Sequence, residues 1–194
     1  MKYKLADIAT IVMGGTPSTA NLDYWNGNIL WVTPKDLSLS NGAKYIYDTT
    51  SHITNCGLKN SSAKIVPAGS IILSTRAPVG YLGIAKFPMA TNQGIKALIA
   101  NEEVVNNEYL YYLLQTQTAN LEARAGGSTF RELTTESLKN YEIDLPPVSI
   151  QHSITNTIPY STFNLLKFSK ICLSNSAPSA VKARYSCSKA SNFA

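Results

Sequence analysis

Between Ala90 and Ala100 the chain reads ATNQGIKALIA, two apolar runs interrupted by Thr91, Asn92, Gln93 and Gly94. Asparagine and glutamine are the side chains that pair with both hydrogen-bonding positions of an adenine edge, so one chemistry open to this cluster is base reading in DNA. The other is a turn or bulge whose amides satisfy backbone groups, and on this stretch alone the turn ranks first.

Searches for catalytic patterns give little. No GxxxxGK[ST] run occurs, so no nucleotide triphosphate is cradled in the P-loop manner. The two histidines, His52 and His152, have no serine, cysteine or carboxylate pattern around them that makes a triad. DLPPV at 144–148 has the look of a methyltransferase Asp-Pro-Pro-Tyr loop, but Val148 stands where an aromatic would stack on the base. It reads as a strand end followed by a helix-initiating Pro-Pro. Nor does any cluster of carboxylates precede a lysine on one strand as a nuclease requires. The chain is expected to be neither an enzyme nor a holder of metal or cofactor.

These residues need elements to position them. Turn signals at MGGTPSTAN, NGN, SNG, PAGS and APVG separate strand candidates at 28–33, 43–48, 69–75, 80–87 and 95–100, so the first hundred residues are mostly β. A short helix is expected within 51–67, with Ser51 as N-cap and Gly57 as its stop. Residues 106–124 predict one long packing helix, because Leu110, Leu113, Leu114 and Leu121 share a face, with Gly126 and Gly127 ending it. A short helix capped by Thr134 or Thr135, a strand over 141–145 and a helix from Ser149 to Pro159 complete the pattern. The fold class is α+β, mixed and mostly β, with residues 1–148 as one domain, 149–158 as the start of a helical spacer and 159–194 as a tail.

Composition limits the partners. The net charge of +5 is confined to the end of the chain: residues 1–144 hold 12 basic and 12 acidic side chains, whereas 145–194 hold Lys167, Lys170, Lys182, Arg184 and Lys189 and no acid. A basic pI is therefore no sign of DNA binding by the folded part, where phosphate contacts require a local patch. Cys56, Cys172 and Cys187 are odd in number and lack metal-ligand spacing, so reduced thiols are expected. No apolar run reaches the roughly 18 residues of a membrane span, and a cytoplasmic location is expected. The serine-rich 159–194 tail reads either as a flexible extension or as translation in a shifted frame; the second explains its lost heptads and its missing acids together.

Taken in order, GGTPSTANLDYWNGNILWVTPKDL (14–37), GLKNSSAKIVPAGSIILSTRAPVG (57–80), ATNQGIKALI (90–99), EYLYYLL (108–114) and AGGSTFRELTTESLKNYEIDLPPVSIQ (125–151) resemble the target recognition domain of a type I restriction-modification DNA specificity subunit. The resemblance covers about residues 3–152. It implies a non-catalytic protein that reads half of a bipartite target in double-stranded DNA. It also implies methyltransferase subunits, which bring S-adenosylmethionine and flip adenine, and restriction subunits joining through them. A single recognition domain and a helix that stops at Pro159 depart from the two-domain pattern, as a truncated half-subunit would. That departure leaves open both methyltransferase docking and a homodimer of half-subunits, with an inactive or phase-variable fragment as the alternative.

Sequence readout needs side chains projecting from loops on a rigid sheet, some to base edges and others to phosphates. The candidates are Thr16, Ser18, Asn21 and Tyr24, then Lys35, Lys59 and Arg76, and finally Ser128, Thr129 and Arg131. Each has a structural alternative: Arg76 as an ion pair, Lys59 as a solvated lysine, Tyr24 with Trp25 and Trp31 as turn packing, and 126–131 as a helix cap. Thr91 to Gly94, as a shared family feature, are read as scaffold, and the base-reading role passes to the loops around Ser18, Lys35, Lys59 and Arg76.

Overall fold

The computed structural model describes residues 1–40, 42–76, 78–127 and 131–157. Expectations for the 159–194 tail and for residue 158, and those for Ser128 and Thr129, lie outside the described residues. In chain order the first elements are β1 (Lys2–Lys4), α1 (Leu5–Ile8), β2 (Ala9–Met13), a 3-10 turn (Leu22–Tyr24), β3 (Trp25–Val32) and α2 (Pro34–Leu39). Next come β4 (Tyr45–Ile46), β5 (His52–Ile53), α3 (Asn55–Lys59), β6 (Ile65–Val66), β7 (Ile71–Ser74), β8 (Leu82–Ala85), β9 (Met89–Thr91) and β10 (Ile95–Ala100). The last are α4 (Asn107–Thr116), α5 (Thr118–Arg124), α6 (Thr135–Lys139), β11 (Glu142–Asp144) and α7 (Val148–Thr157). The class is mixed α+β, as the sequence predicts.

A five-stranded sheet in the order β2-β10-β7-β8-β4 is the frame. Its pairs are antiparallel except β4 on β8. Both faces are covered, which is why its central strands read as continuous apolar runs. Ile71, Leu73 and Leu98 turn toward the helices, into a core with Tyr109, Leu110, Leu113 and Leu114 of α4 and Leu121 of α5. Ile72, Ile95 and Ala97, one residue out of phase, join Val32, Val66 and Met89 on the opposite face. Those last residues belong to a second sheet, β5-β3-β9-β6, in which β3 and β9 run parallel. β1 pairs with β11, and the amino terminus donates to the Leu145 carbonyl at 2.9 Å.

Several boundaries differ from expectation for local reasons. The long helix breaks at Gln117, where the N–H bonds back only three residues to Leu114 O. The hydroxyls of Thr116 and Thr118 occupy the carbonyls of Leu113 and Gln115 on either side, a competition that disfavours a continuous helix. Leu121 stays fully buried, so the apolar face survives the break. α5 does not end on a glycine: Ala125 already leaves in extended geometry, and Gly126 instead bridges Glu132. Thr54, not Ser51, caps α3, its hydroxyl accepting from Gly57 N at 3.0 Å. Gly57 lies inside that helix, at a point of close approach where a Cβ would sit 2.4 Å from the Tyr24 carbonyl. Thr134 caps α6 as expected, and the strand over 141–145 shortens to β11. α7 starts one residue earlier than read, with Ile150 and Gln151 donating to Pro147 O.

Candidate nucleic-acid interface

The loops expected to carry recognition meet at one end of the five-stranded sheet, around the turn between β9 and β10. Asn92 makes that turn rigid. Its Oδ1 accepts from Gly94 N at 2.9 Å, and its own N–H reaches Val32 O at 2.9 Å. Gly94 O then accepts from Thr75 N at 2.8 Å and from the Thr75 hydroxyl at 3.2 Å, tying the turn to the end of β7. The amide of Asn92 thus serves the backbone, whereas the exposed Gln93 bonds across to the Thr16 hydroxyl.

The loop after β2 is clamped to this turn by its two glycines. Gly15 N donates to Thr91 O at 2.8 Å, and a Cβ on Gly14 would lie 2.0 Å from Asn92 O. A Cβ on Gly15 would meet Ser62 Oγ at 2.3 Å, so the loop after α3 lies against the same glycines. Beyond them the tryptophans act as struts: Trp31 Nε1 donates to Gly15 O at 2.9 Å and Trp25 Nε1 to Ser18 O at 3.1 Å. Their rings meet edge to face at 5.0 Å. Ser18 is held by its backbone with its side chain exposed.

Asn21 and Tyr24 have structural duties in this loop. Asn21 Oδ1 accepts from Asp23 N at 3.1 Å and caps the 3-10 turn, and the Tyr24 carbonyl accepts from Thr54 N at 2.9 Å. Lys59 is exposed in the last turn of α3. Lys35 is exposed in the first turn of α2, whose start packs beside Gly94 through Pro34. Asp36 next to it is consumed by a capping box, accepting from Thr33 N at 2.8 Å and from Thr50 N at 2.9 Å. Burial would push the Asp36 carboxyl up, but the bonds from Thr33 and Thr50 outweigh it and hold it below its ordinary value.

Arg76 and Arg131 come from two further segments. Arg76 Nη2 lies 2.9 Å from Glu132 Oε2, and the two residues also form a β-bridge. Arg131 Nη2 donates to Glu122 O at 2.9 Å, closing the end of α5. Gly126 and Glu132 exchange backbone bonds of 3.1 and 2.9 Å, which holds Glu132 beside the end of α5. Glu132 Oε1 is also 3.5 Å from Nζ of Lys96 in β10, a lysine whose side chain is 2 % exposed. Lys96 donates to Leu133 O at 2.8 Å and to the Thr75 hydroxyl at 3.1 Å. Burial pushes the Lys96 ammonium below its ordinary value against the pull of Glu132. Burial would raise the Glu132 carboxyl, but Arg76 and Lys96 hold it down.

Of the sequence candidates, Thr16, Lys35, Arg76 and Arg131 are thus brought around the 91–94 turn or the segments bound to it. Ser18, Asn21, Tyr24 and Lys59 gather on the adjoining Trp25–Trp31 side, and Ser128 and Thr129 lie outside the described residues. Sequence reasoning missed Lys96 and Glu132; the available signal was a lysine inside an otherwise apolar strand. Among the described residues no group of three or more His, Cys, Asp or Glu could hold a metal ion. No described helix is long and apolar enough to cross a membrane.

The loops on either side of the 91–94 turn thus form one surface on which Lys35 and Lys59 are exposed. The type I restriction modification DNA specificity domain family matches residues 1–160, and the chain belongs to that family. It is 44% identical over 161 residues to the MjaIX specificity subunit of Methanocaldococcus jannaschii, covering 81% of this chain and 36% of that protein. With the EcoR124I/EcoR124II specificity subunit of Escherichia coli the identity is 27% over 161 residues, covering 79% and 39%. The chain therefore spans well under half the length of these relatives. The fold is similar to the HsdS subunit of Thermoanaerobacter tengcongensis, with a TM-score of 0.62 at 20% identity over 94% of this chain and 42% of that one.

Proposed function

We propose that this chain is a sequence-specific DNA recognition module that reads one half-site for a type I restriction-modification system. It carries no catalysis of its own and directs partner methyltransferase subunits, and through them restriction subunits, to the target. The supporting observation is family membership across residues 1–160, which include every segment of the loop assembly around the 91–94 turn. The cations Lys35, Lys59, Arg76 and Arg131 supply phosphate or guanine contacts, and Thr16 and Ser18, with Ser128 and Thr129, supply neutral donors and acceptors. Asn21 and Tyr24 act through the shape of their loop as well as by contact.

Selection from a randomised duplex pool by the full chain, alone and with type I methyltransferase subunits, tests this reading. A defined motif is expected to enrich. Recovery of random sequence under both conditions would overturn it.

A further inference from the structure

The Lys96–Glu132–Arg76 network sits where β7 ends beside β10 and is poorly explained as a stability device. A lysine whose side chain is 2 % exposed is expensive to bury, and an apolar residue in its place on β10 would normally be as stable or more so. Arg76, 48% exposed at its side chain, pairs with Glu132 in a setting where ion pairs contribute little. A carboxylate on a surface meant for phosphate also repels the ligand. The geometry offsets both penalties by joining them. Glu132 Oε1 faces the buried ammonium while Oε2 takes one edge of the Arg76 guanidinium. Two cations and one anion leave a net single positive charge, carried outward on Arg76. The backbone of Glu132 meanwhile pairs with Gly126, so the same residue is held by its main chain as well.

We propose that Glu132, held from beneath by Lys96, is a positioning residue for DNA recognition that fixes the guanidinium plane of Arg76 for sequence readout. Glu132 makes no contact with DNA in this scheme. A planar guanidinium held on one side presents its remaining N–H donors in a fixed fork, the geometry that distinguishes guanine from other bases. The inference rests on the recognition reading above, and its experiment separates the two.

Fluorescence anisotropy with the full chain would compare the duplex enriched by wild-type protein against a scrambled duplex of equal length and composition. Glu132→Gln keeps the side-chain shape and removes the charge. Its specific-to-scrambled affinity ratio is expected to fall about tenfold, with scrambled binding unchanged or tighter because a negative charge is gone. Arg76→Lys, which keeps the charge and loses the fork, is expected to lower the ratio to a similar degree. Should Glu132→Gln fold poorly, the Lys96→Met/Glu132→Gln pair removes the buried charge as well, and its ratio is expected to stay low. An unchanged ratio in folded Glu132→Gln protein, or equal tightening on both duplexes, would overturn the proposal while leaving half-site recognition standing. No enrichment by wild-type protein would overturn both.

Discussion

Among the described residues a lysine and a glutamate pair in two opposite settings. Lys96 and Glu132 meet at the loop end of the large sheet, 3.5 Å apart, with the ammonium sealed in and the carboxylate shared with Arg76. Lys44 and Glu108 meet beside the opposite end of β8, only 2.7 Å apart, with Lys44 also over the rings of Tyr112 and Tyr45 and Glu108 bonded to the Tyr45 hydroxyl. Burial would lower the Lys44 ammonium, but the bonds with Glu108 and Tyr112 outweigh it and raise it, the reverse of Lys96. A short pair with aromatic company fastens α4 to the sheet. A long pair with a shared carboxylate leaves a guanidinium exposed, beside the loops proposed to read DNA.

Breaking the sealed pair has the largest expected effect. Glu132→Ala leaves the buried Lys96 with only two neutral acceptors, and urea unfolding is expected to show a loss of about 3 kcal/mol. The Lys96→Met/Glu132→Gln pair removes the uncompensated charge and is expected to return to within about 1 kcal/mol of wild type. If Glu132→Ala were no more harmful than that double variant, the burial contrast between the two pairs would be wrong.

Lys44→Met is expected to cost about 1 kcal/mol, because Glu108 keeps water and the Tyr45 hydroxyl as partners. The pH dependence of the two lysines should have opposite sign. Lys44, raised above 10.5, contributes stability that is full below 10.5 and fades as pH climbs through its folded value. For Lys96, lowered in the fold, the unfolded chain binds more protons between the folded value and 10.5, so its burial penalty shrinks as pH rises through that window. Urea midpoints of wild type, Lys44→Met and Lys96→Met between about pH 9 and about pH 11 resolve the two signs. On the acid side Glu108 is held below its ordinary value of 4.5, where Lys44 and Tyr45 outweigh burial. Its contribution is present above that value and lost as pH falls through the folded one, so Glu108→Gln should flatten the acid limb of the stability curve.

The smallest expected effect is at Lys59, exposed and outside both pairs. Lys59→Ala should change unfolding stability by no more than about 0.5 kcal/mol, and it should reduce the salt slope of DNA binding by about 0.9 if the side chain grips one phosphate.

Legibility in the sequence followed the range of the interactions. The apolar face of 106–124 was readable because Leu110, Leu113, Leu114 and Leu121 repeat at helical spacing, and all four are core. The break at Gln117 was not readable, since it depends on threonine hydroxyls choosing backbone carbonyls over solvent. The turn at 91–94 was legible from Asn92 and Gly94, whose bond spans two residues. Lys96 was hidden because Thr75 lies 21 residues away and Leu133 lies 37 away, so its polar partners exist only once β7 and Leu133 have come together beside β10. The gathering of Thr16, Arg76 and Arg131 near one turn has the same origin: strand order brings together loops that the chain keeps apart.

The pairing of β1 with β11, Lys2 opposite Asp144, sets the first strand of the fold beside the last. The two strands brace each other, and beyond them the Gln151 side chain, bonded to Asn106 N, Val104 O and Pro146 O, ties α7 into the same fold.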